Sequence, residues 1–382
     1  MTMPLDNQRH LFDIEDGITY LNCASHAPHL KTTYEAGVQA LGRKYHPWTI
    51  DNSEAPAEAE RLRGLFAGLI GATADDVALI NSTSYGAATA AKNLPAAAGQ
   101  NIVVITDQFP SNLFSWRRLA QDSGAELRAA AWPDDGNWTP NVLGCIDADT
   151  AIAALPPCHW SDGAKLDLMA IGQKCRDVGA ALVIDATQAA GAMPIDVAAI
   201  QPDFLIASAY KWLLCPYTLA FLYAAPHRQN GAPLEMHRWN MAEPAPDAIA
   251  VEYPDDFNTG ARRYDMGERN NFVNLPMSIK SLEQLTAWTP AAIQETLSKL
   301  TAAAAGMARE RGWQVADDAH RVGHFIGVRP PQTPPSDIGA RLKTRGIHIS
   351  LRGSTSLRLS PHLFSDVADI GRVFQALDEE LG

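Results

Sequence analysis

A lysine stands inside Phe204-Leu205-Ile206-Ala207-Ser208-Ala209-Tyr210-Lys211-Trp212-Leu213-Leu214, a run with no other charge. Desolvation disfavours an ammonium, so a buried lysine has its pKa pushed down and its amine becomes nucleophilic. Such an amine suits Schiff-base chemistry with a carbonyl group or with pyridoxal phosphate (PLP). In isolation the same pattern also fits a lysine snorkelling from the end of a buried strand. Asp185 closes the apolar run Ala181-Leu182-Val183-Ile184 and opens Asp185-Ala186-Thr187-Gln188. A carboxylate there is partly buried and needs a cation, which a protonated pyridine nitrogen would supply; capping of the next turn is the plainer role. Asn81-Ser82-Thr83-Ser84-Tyr85-Gly86 places hydroxyls and free amides where a strand gives way to a helix. That is the make-up of a phosphate cradle, and also of an ordinary Ser/Thr N-cap.

Two further positions join these. Phe109, in Phe109-Pro110-Ser111-Asn112, follows another apolar run and would either lie against a planar cofactor or fill the core. In Ser356-Leu357-Arg358-Leu359-Ser360 the alternation puts leucines on one face and Arg358 on the other. A guanidinium so placed grips a carboxylate through two parallel hydrogen bonds. Arg352 is the second candidate for that task.

The elements needed to position these residues are visible as apolar runs alternating with helical stretches. Strands are expected at 77–81, 101–106, 150–155, 181–185 and 204–207, with helices at 86–93, 112–122 and 166–178 between them. Continuous apolar strands separated by helices indicate a largely parallel sheet covered on both faces. The expected fold is therefore α/β, and ligands in such sheets sit beyond the carboxyl ends of the strands. A Pro-rich, loop-like stretch runs from 242 to 256. Beyond it, a helical segment from 274 to about 311 breaks at Pro290, strands are expected at 323–328 and 356–360, and a helix at 365–381. The domain reading is an N-terminal segment 1–20 packing with the small domain, a large domain at 21–255 and a smaller α+β domain at 256–382.

Composition bounds the function. A length of 382 residues suggests about two to three domains. Hydrophobic residues make up 46% and the net charge is −12, which argues for a globular protein and against nucleic-acid or anionic-membrane partners. No signal peptide or membrane span is visible. The five cysteines have no paired spacing, which fits a reducing cytoplasm and gives no zinc site. No strand is followed by a glycine fingerprint or Walker sequence, which disfavours a nucleotide-binding Rossmann protein.

Phosphate cradle, aromatic, Asp and Lys occur in that order, each just after an apolar strand. In this the chain resembles the class V aminotransferase group of fold type I PLP enzymes, which includes cysteine desulfurases, kynureninases and isopenicillin-N-epimerase-like proteins. The resemblance runs from Tyr20-Leu21-Asn22-Cys23-Ala24-Ser25 to the Arg358 strand, and Asp-Ala-Thr-Gln and Ser-Ala-Tyr-Lys-Trp are its most specific motifs. It implies PLP as cofactor, with Lys211 forming the internal aldimine and later shuttling the proton. It implies that Asp185 pairs with the pyridine nitrogen, that Gln188 contacts the phenolic oxygen, and that Thr83, Ser84, Tyr85, Ser208 and Tyr210 hold the phosphate. By the same resemblance Phe109 stacks on the cofactor in a kynureninase-like Phe-Pro-Ser pattern where desulfurases usually carry His. Asn112 would lie close to the ring substituents, and Arg358 would bind the substrate carboxylate. Arg262-Arg263-Tyr264-Asp265-Met266-Gly267-Glu268-Arg269-Asn270 resembles the loop that reaches the partner subunit's phosphate, which implies a homodimer. Glu268 stands where Thr is common, so Arg269 or Asn270 would make that contact.

The family-level expectation is an aminotransferase acting on a small α-amino acid, with a lyase or an epimerase as the alternative. Residues 346–354 lack the cysteine a persulfide-forming desulfurase needs. Cys215 replaces a common glycine and reads as a packing substitution. An epimerase would need a second base, for which His26, His29 and His159 are the candidates. A degenerate, non-catalytic binding module would have lost Lys211 or Asp185, and both are present.

Overall fold

The computed structural model describes residues 3–51, 53–242 and 253–381. Most of the Pro-rich stretch, 243–252, lies outside the described residues.

Seven strands form the central sheet: β1 (Val77–Ile80), β2 (Asn101–Ile105), β3 (Glu126–Ala130), β4 (Thr150–Leu155), β5 (Ala181–Asp185), β6 (Phe204–Ser208) and β7 (Ala220–Ala224). Their spatial order is β1-β7-β6-β5-β4-β2-β3. All neighbours run parallel except β7, which is antiparallel to both β6 and β1. Successive side chains of a strand point to opposite faces, and the core divides accordingly. Val77, Leu79 and Val103 join Phe66, Ile171 and Leu282 on one face. Ala78, Ile80 and Val104 join Ala87 and Trp116 on the other. Burial on both faces is why these strands read as continuous apolar runs. Gly86 permits the helix Thr83–Asn93 to lie close on the sheet, since a Cβ there would sit 2.8 Å from Ile206.

Two strands escaped the sequence pattern. β3 is an edge strand whose residues are mostly half-buried or exposed, so its polar Glu126 and Arg128 mask it. β7 continues the apolar run after Lys211, and the chain reverses through Leu214 and Thr218, both in the left-handed region.

The C-terminal part forms a four-stranded antiparallel sheet of Gln314–Val315, Ile326–Arg329, Ser350–Arg352 and Ser356–Leu359. Helices Pro290–Glu310 and Val367–Leu381 pack on it through Ala304, Ala308, Phe374 and Leu377. The N-terminal segment docks here, with Thr19–Tyr20 pairing parallel to Ile347–His348 and Asn22 bridging to Ser360. Helix Asn274–Trp288, which the sequence reading placed in the small domain, packs on the large one. Thr33 and Ser281 share a hydrogen bond of 2.9 Å, and Leu282 and Leu285 lie in the core that holds Leu62 and Phe66. Among the described residues no helix is long and apolar enough to cross a membrane.

Candidate active site

A cavity of about 210 Å³ opens at the carboxyl ends of β1, β2, β4, β5 and β6. Of the residues singled out in the sequence, Thr83, Ser84, Phe109, Asp185, Gln188, Ser208, Tyr210 and Lys211 border it. Each comes from the last residue of a strand, the loop after it or, for Thr83 and Ser84, the first turn of the helix that follows, so strand direction gathers them.

Lys211 is 5% exposed. Burial first, then the positive charge of Arg358, lowers its pKa from 10.5 to about 8, against the opposing pull of Asp185. Its Nζ lies 5.2 Å from the Phe109 ring centre and 5.4 Å from that of Tyr210. Aldehyde capture requires the free amine, so the rate at which apo-protein takes up PLP is expected to climb with pH to about 8 and level off above it. A stopped-flow pH profile that levels off only near the ordinary value of 10.5 would refute a desolvated Lys211.

Asp185 is buried and accepts the Thr187 N–H at 3.1 Å, and burial raises its carboxyl pKa against that bond and the charge of Lys211. Among the described residues no arginine or lysine is ion-paired with it. A buried carboxylate without a bonded cation is costly, and a cationic pyridine nitrogen would answer that need.

The hydroxyls of Thr83, Thr187 and Ser208 bond to one another, Thr83 Oγ1 lying 2.9 Å from Thr187 Oγ1 and 2.8 Å from Ser208 Oγ. They sit at the N-terminus of helix Thr83–Asn93, whose cap Ser82 accepts the Tyr85 N–H. Hydroxyl donors plus a helix N-terminus make a phosphate site. The residues present therefore fit PLP: cation-seeking carboxylate, amine, aromatic ring and phosphate cradle border one cavity. Gln188 donates one amide hydrogen to the Ala24 carbonyl at 3.0 Å, and its Oε1 accepts from the buried Trp212 indole at 2.9 Å.

Three expected site residues do not border the cavity. Tyr85 does not border the cavity; its half-buried ring faces Glu235 and Asp265, and burial with those charges raises its hydroxyl pKa. Asn112 is fully buried and accepts from the Trp116 indole at 3.0 Å, while its neighbour Ser111 lines the cavity. Arg358 is 1% exposed, donating to the Trp160 carbonyl at 2.7 Å and to Ser25 Oγ at 2.8 Å. Burial, with Arg352 nearby, lowers its pKa to about 9.

The cavity also holds residues that sequence reasoning did not select: Gln108, Cys158, Trp160, Thr187, Tyr217 and Thr218. Cys158 and Trp160 follow β4, where the sequence reading singled out only His159 between them. Cys215 lies elsewhere, buried, with its thiol bonded to the Leu213 carbonyl and pushed up to about 12 by burial. The loop 262–270 is an ionic network. Arg63 and Asp265 form a fully buried pair, Arg269 Nε lies 3.0 Å from Asp265, and Arg262 pairs with Glu60 and Asp75. Glu268 is exposed in the left-handed region at φ 56°.

Comparison with known proteins gives the same picture. The family model described as aminotransferase class-V matches residues 31–367. An uncharacterized aminotransferase of Bacillus subtilis is 25% identical over 315 residues, covering 82% of this chain and 81% of that protein. Isopenicillin N epimerase of Streptomyces clavuligerus is 24% identical over 391 residues, covering 97% and 96%. The solved structure of a C-DES mutant with glycine covalently linked to its PLP cofactor superposes with a TM-score of 0.87 at 16% identity, covering 98% of this chain and 99% of that one. The strand order, the cavity and the matched segment agree: this chain belongs to the class V aminotransferase family of fold type I, PLP-dependent enzymes.

Proposed function

We propose that the protein is a PLP-dependent aminotransferase acting on a small α-amino acid, working as a homodimer with its active site near the subunit interface. The observation that carries this reading is the desolvated amine of Lys211, the one buried lysine among the described residues, which borders the cavity. PLP, when bound, supplies an electron sink for the bond broken at the substrate's Cα. Thr83, Ser84 and Ser208 would hold the phosphate, Asp185 would face the ring nitrogen, and Phe109 would cover the ring. Lys211 Nζ would hold the cofactor and then carry one proton between two neighbouring carbons, a task for one base on one face. Water is kept from that amine by Phe109, Tyr210 and the wall around Trp160.

An epimerase would need a second base on the opposite face. His29 faces the Leu214 carbonyl at 3.2 Å, His159 stacks on Trp138 at 5.3 Å, and His26 packs against Tyr210 and Tyr217. None of the three borders the cavity. Tyr210 and Tyr217 do; burial pushes the Tyr210 hydroxyl up to about 12, so that side chain keeps its proton.

Holoprotein incubated with an amino-acid panel should form product only when 2-oxoglutarate or pyruvate is present. Ammonia, alanine or sulfide released without a keto acid would assign a lyase instead. Solvent deuterium entering Cα with inversion would assign an epimerase.

A further inference from the structure

A second cavity, of about 680 Å³, adjoins the first and shares Gln108 and Trp160 with it. Its walls include Trp132, His159, Arg329 and Arg352. Arg329 is already matched, by Asp162 at 3.1 Å, and lies over the Trp132 ring. Arg352 is not. Among the described residues no carboxylate pairs with it, its Nε has no hydrogen-bond partner, and its guanidinium lies 5.6 Å from the Trp160 ring centre.

The strand register explains how this charge comes to border the site. Ser350 stands opposite Arg358 and Arg352 opposite Ser356, so both arginines project from the same face as diagonal neighbours. Both donate to one hydroxyl, Ser25 Oγ, Arg352 at 2.6 Å and Arg358 at 2.8 Å. Their nearest nitrogens are thus no farther apart than those two bonds laid end to end. Two guanidiniums this close repel each other, and among the described residues no carboxylate is ion-paired with either, the exposed Asp107 being the one carboxylate on the wall of the second cavity. The arrangement is unfavourable in the empty protein and favourable once two negative charges arrive.

We propose that this second cavity is the side-chain subsite of the substrate, and that Arg352 selects an α-amino acid whose side chain ends in a carboxylate. The proposal rests on the aminotransferase reading, in which Arg358, outside both cavities, would exchange its bonds to Trp160 and Ser25 for the α-carboxylate and Arg352 would take the distal one. Trp160 forms the wall between the two cavities, and its indole is fixed by donation to the Asp107 carbonyl at 2.7 Å. Arg329, being neutralised by Asp162, contributes shape more than charge.

The isosteric pairs L-glutamate/L-glutamine and L-aspartate/L-asparagine separate charge from size. Binding to the holoprotein would be measured by calorimetry and, independently, by the change in cofactor absorbance. At least one acid should bind about tenfold or more tightly than its amide, since a charge-assisted pair is lost in the amide. Arg352→Gln should collapse that ratio towards one, and Arg352→Lys should restore part of it. Equal affinity for acid and amide in the wild type would overturn the proposal. So would an Arg352→Gln variant that weakens acids and amides by the same factor, because Arg352 would then share the α-carboxylate with Arg358. Failure of the aminotransferase reading looks different: acids bind in preference to amides, yet no keto-acid-dependent product forms.

Discussion

Lys211→Ala should abolish the yellow absorbance of lysine-bound PLP and lower turnover by at least on the order of 10³-fold, since one side chain would both hold the cofactor and move the proton. Borohydride should fix the cofactor to the wild type and not to the variant. Retention of the band, or of turnover within an order of magnitude, would remove Lys211 from the chemistry. Stability gives an independent readout. The folded-state pKa of about 8 lies below the ordinary 10.5. Between those values the unfolded chain holds a proton that the folded chain does not, so stability rises with pH across that window. Below it, the buried ammonium is a constant penalty. Apo Lys211→Met should therefore be more stable than apo wild type at pH 7, with the difference shrinking as pH rises past 8. Denaturant titrations at several pH values would show it, and a pH-independent difference would contradict a desolvated amine.

Asp185→Asn should lower kcat by on the order of 10²–10³-fold, the scale of removing one partner from a buried ion pair. An amide cannot stabilise a protonated pyridine nitrogen, so the electron sink weakens even when the cofactor is held. The same change should leave the apo-protein no less stable. In the apo-protein the carboxyl has no bonded cation and burial already disfavours its charge. Single-turnover kinetics paired with apo-protein melting would separate the two effects. Loss of both activity and apo stability would make Asp185 a structural residue, as would full activity in a stable variant.

Much of this site was legible in the chain because its logic is one-dimensional. A parallel strand buried on both faces is a continuous apolar run, and the polar residue that ends it is where the chain leaves the sheet. Asp185, Phe109, Thr83 and Lys211 were found by that rule and Ser208 by the family resemblance, and all border the cavity. The rule fails one helical turn later. Residues of a helix advance by about 100° each, so Thr83 and Ser84 face the cavity while Tyr85 does not. Asn112, on a short turn, likewise points down to Trp116 while Ser111 faces the opening. The edge strand β3 was missed because it lacks a second buried face, and β7 because an antiparallel return looks like more of the same apolar run.

Arg358 marks the boundary between the two kinds of information. Alternation in Ser356–Ser360 shows which face it takes, and the structure agrees, since it shares that face with Ser350 across the hairpin. Alternation says nothing about what lies on that face. Only the docking of the N-terminal segment against the C-terminal sheet brings Ser25 between Arg352 and Arg358. Likewise, the turn after β4 must pack against the hairpin before Trp160 can stand between two cavities. By itself the sequence determined the fold class, because that follows from runs and their ends, and its family motifs pointed to PLP and to Lys211 as the amine to test. Which substrate charge the site awaits was decided by tertiary structure alone, through contacts between segments more than three hundred positions apart.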